Sequence, residues 1–314
     1  MQRPPSQEQI QRDQLHGRQV AAMFGRIARW YDFLNHTLSL GLDIYWRWRL
    51  ARVAQPRPGG AVLDLAAGTM DVSLALLRQY PDIRVAAVDY TLPMLVHGKR
   101  KLNGAPGGQI IPAQGDGRRL PLADESMDAA TIAFGIRNIR PRMAAHKEVL
   151  RCLKPGGRFC ILEFGTGRRK VWGGLYNFYL DKVLPTVGRI FSGDRAAYRY
   201  LAETIREFPD ERQLARELLE AGYARVFHVA MLSGIVYLHV AEKAGELAGE
   251  LAGETGGRAT GAGASAGPAG GAPAGVPVRK DSLRKDSLRR DDPREAVLRC
   301  FTREDPGKPP REDG

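Results

Sequence analysis

The sequence predicts an α/β fold of the doubly wound class, with a mostly parallel sheet that closes in an antiparallel end. Three observations carry that reading. Apolar runs too short for helices alternate with helical patterns, the first two runs stop at small residues and at an acid, and the last two follow one another with no helix between them.

The first run, Ala61–Leu65, leads into Ala66-Ala-Gly-Thr-Met-Asp71, where a helical pattern (Val72, Leu74, Leu76, Leu77) begins. The second run, residues 85–89, stops on Asp89. In doubly wound sheets ligands sit beyond the carboxyl ends of the strands, and an acid closing the second strand can hold a ribose diol. The turn has a single glycine, Gly68, so the three-glycine cradle that wraps a pyrophosphate is absent. Asp64, Thr69 and Asp71 around Gly68 suit a nucleoside without phosphate, S-adenosylmethionine, better than a dinucleotide. A tight turn in any parallel βαβ unit would read the same way.

Ahead of the first strand, residues 17–50 are rich in aromatics (Phe24, Trp30, Tyr31, Phe33, Tyr45, Trp46, Trp48). Val20, Met23, Phe24 and Ile27 have helical spacing, which predicts an amphipathic helix before Tyr31 acting as an N-terminal lid over the strand ends. Residues 38–42 turn the chain, and Asp43 is positioned to cap a second helix through Leu50. After Asp89 the pattern predicts a helix over 94–101 and a strand over 109–114 that runs into Gly115-Asp-Gly117. A strand over 127–134 follows, ending at Gly135-Ile-Arg-Asn138, then a helix over 142–153 stopped by Lys154-Pro-Gly-Gly157, and a strand over 158–164. Residues 171–208 are too aromatic and too long for an idle loop and predict a wall for an apolar substrate. A helix over Glu211–Ala221, its stop at Gly222, and strands over 225–230 and 235–241 complete the domain.

Composition divides the chain. From Ala244 onward come Gly-Glu-Leu-Ala repeats, a Gly/Ala/Pro tract and a tandem Lys-Asp-Ser-Leu-Arg, which offer little apolar surface against chain entropy, so 244–314 is expected to be disordered. The polar residues 1–17 are expected to be disordered too, leaving 18–243 as the domain. The tail holds twelve basic and twelve acidic residues, so the net charge of +12 belongs to the rest of the chain. A basic domain suits anionic partners or a merely solvated arginine-rich face. Three cysteines (Cys152, Cys160, Cys300) without metal spacing fit a reducing cytoplasm, and no run approaches a membrane span. The polar N-terminus is not a signal peptide.

Four segments bring a family into view: Tyr31-Asp-Phe-Leu-Asn-His-Thr-Leu-Ser-Leu-Gly41 with Trp46, residues 63–71, Thr131-Ile-Ala-Phe-Gly-Ile-Arg-Asn-Ile139, and Arg151-Cys-Leu-Lys-Pro-Gly-Gly-Arg-Phe-Cys-Ile-Leu-Glu163. Tyr198-Arg-Tyr-Leu-Ala-Glu-Thr-Ile-Arg-Glu-Phe-Pro209 and Gly234-Ile-Val-Tyr-Leu-His239 extend the match. On these the chain resembles the ubiquinone/menaquinone biosynthesis C-methyltransferases, within the Class I S-adenosylmethionine-dependent methyltransferases and their Rossmann-like fold. The resemblance covers about residues 18–243 and implies methylation of a ring carbon on a polyprenylated quinol, either 2-demethylmenaquinol to menaquinol or the corresponding ubiquinone precursor. Family cofactor positions fall on Thr69, Asp89, and Asp116 with Gly117. Met70 stands where the family has a glycine, Leu34 where it has methionine, Asp43 where it has histidine, and Gly165 where it has serine; Ala133 replaces a serine of some members.

Such chemistry needs a phenolate-activated carbon held in line with the sulfonium methyl, so the protein supplies proximity, orientation and phenolate stabilisation, with no metal. Arg137 and Asn138, at the end of the fourth strand, are the expected catalytic pair, with a structural salt bridge as the competing role for Arg137. Asp64, Gly68, Thr69, Asp89, Asp116 and Gly117 are the expected cofactor residues, with orienting the loop as the competing role for Asp64, and Tyr31 is the expected substrate contact, or else core. A side chain at Met70 can crowd the methionine moiety and forbids a glycine-only backbone angle, and it is expected to be a tolerated divergence. An insoluble quinol predicts peripheral contact with an anionic membrane, through residues 46–52 or 171–195, from the cytoplasmic side. No nucleic-acid partner is expected, and the oligomeric state, a homodimer included, is left open. The alternatives are transfer to another small or lipidic acceptor, and a non-catalytic scaffold of the same fold.

Overall fold

The computed structural model describes residues 6–102, 109–165 and 195–245. The expectations for 171–194 and for residues 246–314 of the tail lie outside them. Within them a seven-stranded sheet has the order β3-β2-β1-β4-β5-β7-β6. Its strands are β1 (Ala61–Leu65), β2 (Arg84–Asp89), β3 (Ile110–Gln114), β4 (Met127–Ala133), β5 (Leu153–Phe164), β6 (Arg225–Met231) and β7 (Val236–Glu242). All neighbours from β3 to β5 pair in parallel, while β7 is antiparallel to both β5 and β6, which makes the expected antiparallel end.

Burial follows this order. β1, β4 and β7 are buried almost without interruption, as strands covered on both faces must be, whereas the edge strands β3 and β6 are mostly half-buried or exposed. Pro112 sits in edge strand β3, where its missing N–H costs least. The largest apolar core gathers Leu63, Leu65, Ile132, Phe159 and Ile161 from the sheet with Val149 of α5 (Arg142–Cys152). Leu214, Leu218 and Ala221 join it from one face of the helix Glu211–Ala221. That helix forms where the sequence says: Asp210 accepts from the Arg212 and Gln213 amides at its start, and Gly222 ends it at φ +111°, a left-handed angle that suits glycine.

Two boundaries need correction. Helix α1 runs over Gln7–Leu38, so residues 7–17 are helical rather than disordered. Ser6 caps it by accepting from the Gln9 amide, and Glu8–Arg12 and Gln9–Asp13 pair one turn apart, so a polar stretch without apolar periodicity is still a good helix start. Helix α2 (Leu42–Ala54) is capped by Gly41 at φ +77° with no side-chain bond, so Asp43 is not its cap. Asp43 is buried instead and holds His36, Ser39 and Arg47. Two shorter helices, α3 (Asp71–Gln79) and α4 (Leu92–Lys99), follow β1 and β2. Beyond the segment outside the described residues, α6 (Arg195–Glu207) brings Tyr200 and Leu201 against Met23, Ile27 and Leu34 of α1. The helix Glu211–Ala221 is α7.

Candidate cofactor and substrate site

Strand order reverses direction around β1 and β4, and the crevice at that switch point is where an open α/β sheet binds ligands. A cavity occupies it, with an empty volume of about 840 Å³ counted out to open solvent. Its floor is the carboxyl ends of the strands: Leu65 to Gly68 without Ala67 after β1, Asp89 at β2, Gly115 to Arg118 after β3, and Ala133 to Gly135 at β4. Its roof is one face of α1, where Asp13, Gly17, Val20, Ala21, Phe24 and Tyr31 recur at helical spacing.

Asp89 is the best-placed acid. It lines the cavity, is only 8% exposed, and its two oxygens accept from the Gly68 amide at 2.8 Å and the Thr91 amide at 2.7 Å. Burial pushes its carboxyl up against the pull of those amides. The two bonds fix the carboxylate between two loops and leave each oxygen a further lone pair for a diol. Gly68 takes φ +55°, which lets its amide face Asp89.

Asp116 also lines the cavity, gripped by the Arg118 guanidinium at 2.6–3.1 Å and by the Arg118 amide. Burial raises its carboxyl, but the Arg118 bonds outweigh it and hold it below the usual range. Gly117 is glycine because a Cβ there would stand 3.0 Å from Ile139 and 3.1 Å from Leu65. Gly135 is under the same constraint, since a Cβ would meet that of Ala66 at 2.6 Å. Ala66 and Phe134 have φ of +52° and +56°, so the ends of β1 and β4 carry backbone strain where they flank the cavity.

Other expected residues face away. Thr69 is buried and donates its hydroxyl to Asp32 of α1 at 2.5 Å, so it is not among the cavity residues. Lys101 joins the same cluster, bridging Asp32 at 2.8 Å and Asp71, and thus fastens α1 to the loop after β1. Asp64 lies beneath the loop, accepting from Ser73 at 2.6 Å and Thr131 at 3.2 Å; burial pushes its carboxyl up to about 7. Both departures have one cause: the loop side chains are turned into the protein and its backbone is turned to the cavity. Met70 follows it as well. It takes φ +65°, ψ +25°, the angle its glycine counterpart would adopt freely, and its side chain is fully buried rather than crowding the cavity.

Arg137 also turns away from the cavity. Its guanidinium is buried, 2.7 Å from Glu163, bonded to the Phe134 carbonyl and 5.7 Å from the Phe164 ring centre, and it does not line the cavity. Burial raises the Glu163 carboxyl against the pull of Arg137. This is the ion pair expected as the competing role for Arg137. Asn138 does line the cavity, with its side-chain oxygen accepting from the Tyr200 hydroxyl at 3.1 Å, so its NH₂ group remains the donor. Tyr31 reaches the cavity edge-on to Phe24, and burial raises its phenol. Asp13 and Gly17 were missed in the sequence, and Tyr200 stood only within the wall expected over 171–208. The signal for the first two was the face they share with Val20 and Phe24.

A carboxylate poised for a diol, a second acid on the rim, glycine-lined loops without a phosphate cradle, and apolar walls at Leu65, Met94 and Ile139 fit an adenosine that ends in an amino acid. The fold and this site define a Class I S-adenosylmethionine-dependent methyltransferase. Residues 12–243 match the ubiE/COQ5 methyltransferase family, and the chain belongs to that family. It is 38% identical over 229 residues to the ubiquinone/menaquinone biosynthesis C-methyltransferase UbiE of Geobacter sulfurreducens, covering 72% of this chain and 89% of that one. It is 41% identical over 226 residues to the demethylmenaquinone methyltransferase of Corynebacterium kroppenstedtii, covering 72% and 95%. Among solved structures, the [4+2]-cyclase SpnF superposes with a TM-score of 0.52 at 16% identity, over 72% of this chain and 96% of that one, a likeness of fold alone.

Proposed function

We propose that this protein transfers the methyl group of S-adenosylmethionine to a ring carbon of a polyprenylated quinol, converting 2-demethylmenaquinol to menaquinol or methylating the equivalent ubiquinone precursor. The observation that carries the reading is the joining of two unlike surfaces in one cavity: the polar end at Asp89 and Asp116, and the aromatic wall of Phe24, Tyr31 and Phe134. The first suits the cofactor and the second a flat apolar ring. The relatives' names, which share the menaquinone step, support the same acceptor.

The cofactor supplies an electrophilic methyl on a cationic sulfur. Bound in the crevice, it would give up that methyl to the ring carbon and depart as a neutral thioether, the ring proton passing to water. What the chain adds is placement. Asp89 holds the ribose, Asp116 with Gly117 receives the base edge, and Gly68 presents backbone. Asn138 donates to the quinol oxygen as it becomes anionic, and Tyr31 packs on the ring. Thr69 and Asp64 position the loop from behind, and Arg137 positions Asn138 by fixing the Phe134 carbonyl.

Because the acceptor is a lipid, the enzyme works from the cytoplasm at the inner face of the membrane, by peripheral contact. Among the described residues no helix is long and apolar enough to cross a bilayer. The test is methyl transfer from S-adenosylmethionine to short-chain demethylmenaquinol, read by mass spectrometry against other phenols. Transfer to those phenols in preference to the quinol would overturn the acceptor.

A further inference from the structure

We infer that the elbow between α1 and α2 is the surface by which the enzyme docks on an anionic lipid bilayer. The inference takes its purpose from the proposed quinol substrate, but the surface itself is read from exposure and charge.

Large apolar side chains are exposed at this elbow: Leu40 at its tip is 89% exposed, with Trp30 and Phe33 on α1 and Ile44 and Tyr45 on α2. Trp30, Phe33 and Thr37 follow one face of α1, and Ile44, Tyr45 and Trp48 one face of α2, the two helices that meet at the elbow. Cations are laid on these rings. The Arg29 guanidinium stands 5.6 Å from the centre of Trp30, Arg49 5.7 Å from Tyr45, and Arg52 5.1 Å from Trp48. The only acids between residues 26 and 54 are Asp32, paired with Lys101, and Asp43, buried against Arg47. An apolar tip flanked by aromatics and arginines, with both of those acids paired, matches the interfacial region of an anionic bilayer. A second copy of the chain fits less well, because a two-fold contact here would set like charges against each other.

The location serves the site. Tyr31, one residue from Trp30, lines the cavity, so α1 carries the cavity on one face and the apolar stripe on another. A helix is about 10 Å across, so a prenylated ring drawn from the bilayer has a short path to the cavity. Of the expected locus at 46–52, Trp48, Arg49 and Arg52 belong to this surface, whereas Trp46 is buried against Phe134 and the apolar tip lies before it. The other expected locus, 171–194, is outside the described residues.

Flotation of the full chain with vesicles of phosphatidylcholine containing phosphatidylglycerol, and with phosphatidylcholine alone, tests the inference. The wild type is expected to float with the anionic vesicles only. Leu40→Ser/Ile44→Ser and Arg29→Ser/Arg52→Ser should each weaken that binding by about tenfold or more. Both variants should keep wild-type transfer to a soluble short-chain quinol and lose transfer to a long-chain quinol embedded in vesicles. Unchanged flotation of the variants overturns the docking surface, as does a wild type that ignores anionic vesicles. A dimer in light scattering that Leu40→Ser/Ile44→Ser dissociates, without vesicle binding, assigns the elbow to self-association and also overturns it. Failure of the wild type on the soluble quinol refutes the proposed acceptor instead, and leaves flotation as a separate answer.

Discussion

Met70 provides a test of the loop conformation that does not depend on any ligand. Its backbone stands at φ +65°, ψ +25° and its side chain is completely buried. Met70→Ala removes the buried side chain and keeps a Cβ in the left-handed region, so it should lose about 2–4 kcal/mol, the range for truncating a buried methionine. Met70→Gly removes the same side chain and also the left-handed penalty of about 1–2 kcal/mol. Against this stands the extra freedom glycine gives the unfolded chain, about 0.4–1 kcal/mol. The glycine variant should therefore be more stable than the alanine variant by about 0.5–1 kcal/mol, the reverse of their order at an ordinary helical position. Equilibrium urea unfolding of the three proteins, compared at equal slope, reads the difference directly. Calorimetry with S-adenosylhomocysteine should give the same affinity for all three, within about twofold, because Met70 does not line the cavity. If Met70→Gly is the less stable of the two, residue 70 is not left-handed and the account of the loop is wrong.

Asp89→Ala should weaken S-adenosylhomocysteine binding by about 1.5–3 kcal/mol, the scale of bonds to a charged group, and calorimetry giving equal affinities would remove Asp89 from the ribose. Asp64 has a carboxyl raised to about 7 by burial, so its favourable contribution is complete below its unfolded value near 4 and is lost as pH rises through 7. Relative to Asp64→Asn, the wild type should lose stability on the order of a few kcal/mol between pH 4 and pH 8, and parallel pH profiles would refute the burial argument. Arg137→Met strands the Glu163 carboxylate in the core and should cost about 3–5 kcal/mol, while Arg137→Met/Glu163→Leu should recover much of it. A double variant no more stable than the single one, with turnover lost in both, would return Arg137 to the chemistry.

The sheet was legible in the sequence because its buried strands are short apolar runs bounded by turn residues, and the helix Glu211–Ala221 because both its caps are local. The start of α1 was not, since a polar helix held by Ser6 and by pairs one turn apart has no apolar rhythm to find. The place of Asp89 at the end of β2 was legible because chain order fixes it. The direction of the Asp64 and Thr69 side chains was not. Asp64 turns inward because β1 and β4, far apart in sequence, align Asp64 opposite Thr131, and Thr69 because α1 returns over the loop to bring Asp32 within reach. Neither register nor the path of the roof is encoded locally. Arg137 was ambiguous for the same reason, its partner Glu163 lying at the end of a different strand.

The reversal of β7 has a practical side. Running against β5, it pairs Val236 with Phe164 near the cavity end and Glu242 with Arg158 at the other end, after which Lys243 donates to Gly157 and Ala244 accepts from Gly156. The described chain therefore takes its leave, at Gly245, from the end of the sheet remote from the cofactor crevice. A handle joined directly after Gly245 would start from the end of the sheet opposite the crevice, and an enzyme tethered there would turn its cofactor side away from the support.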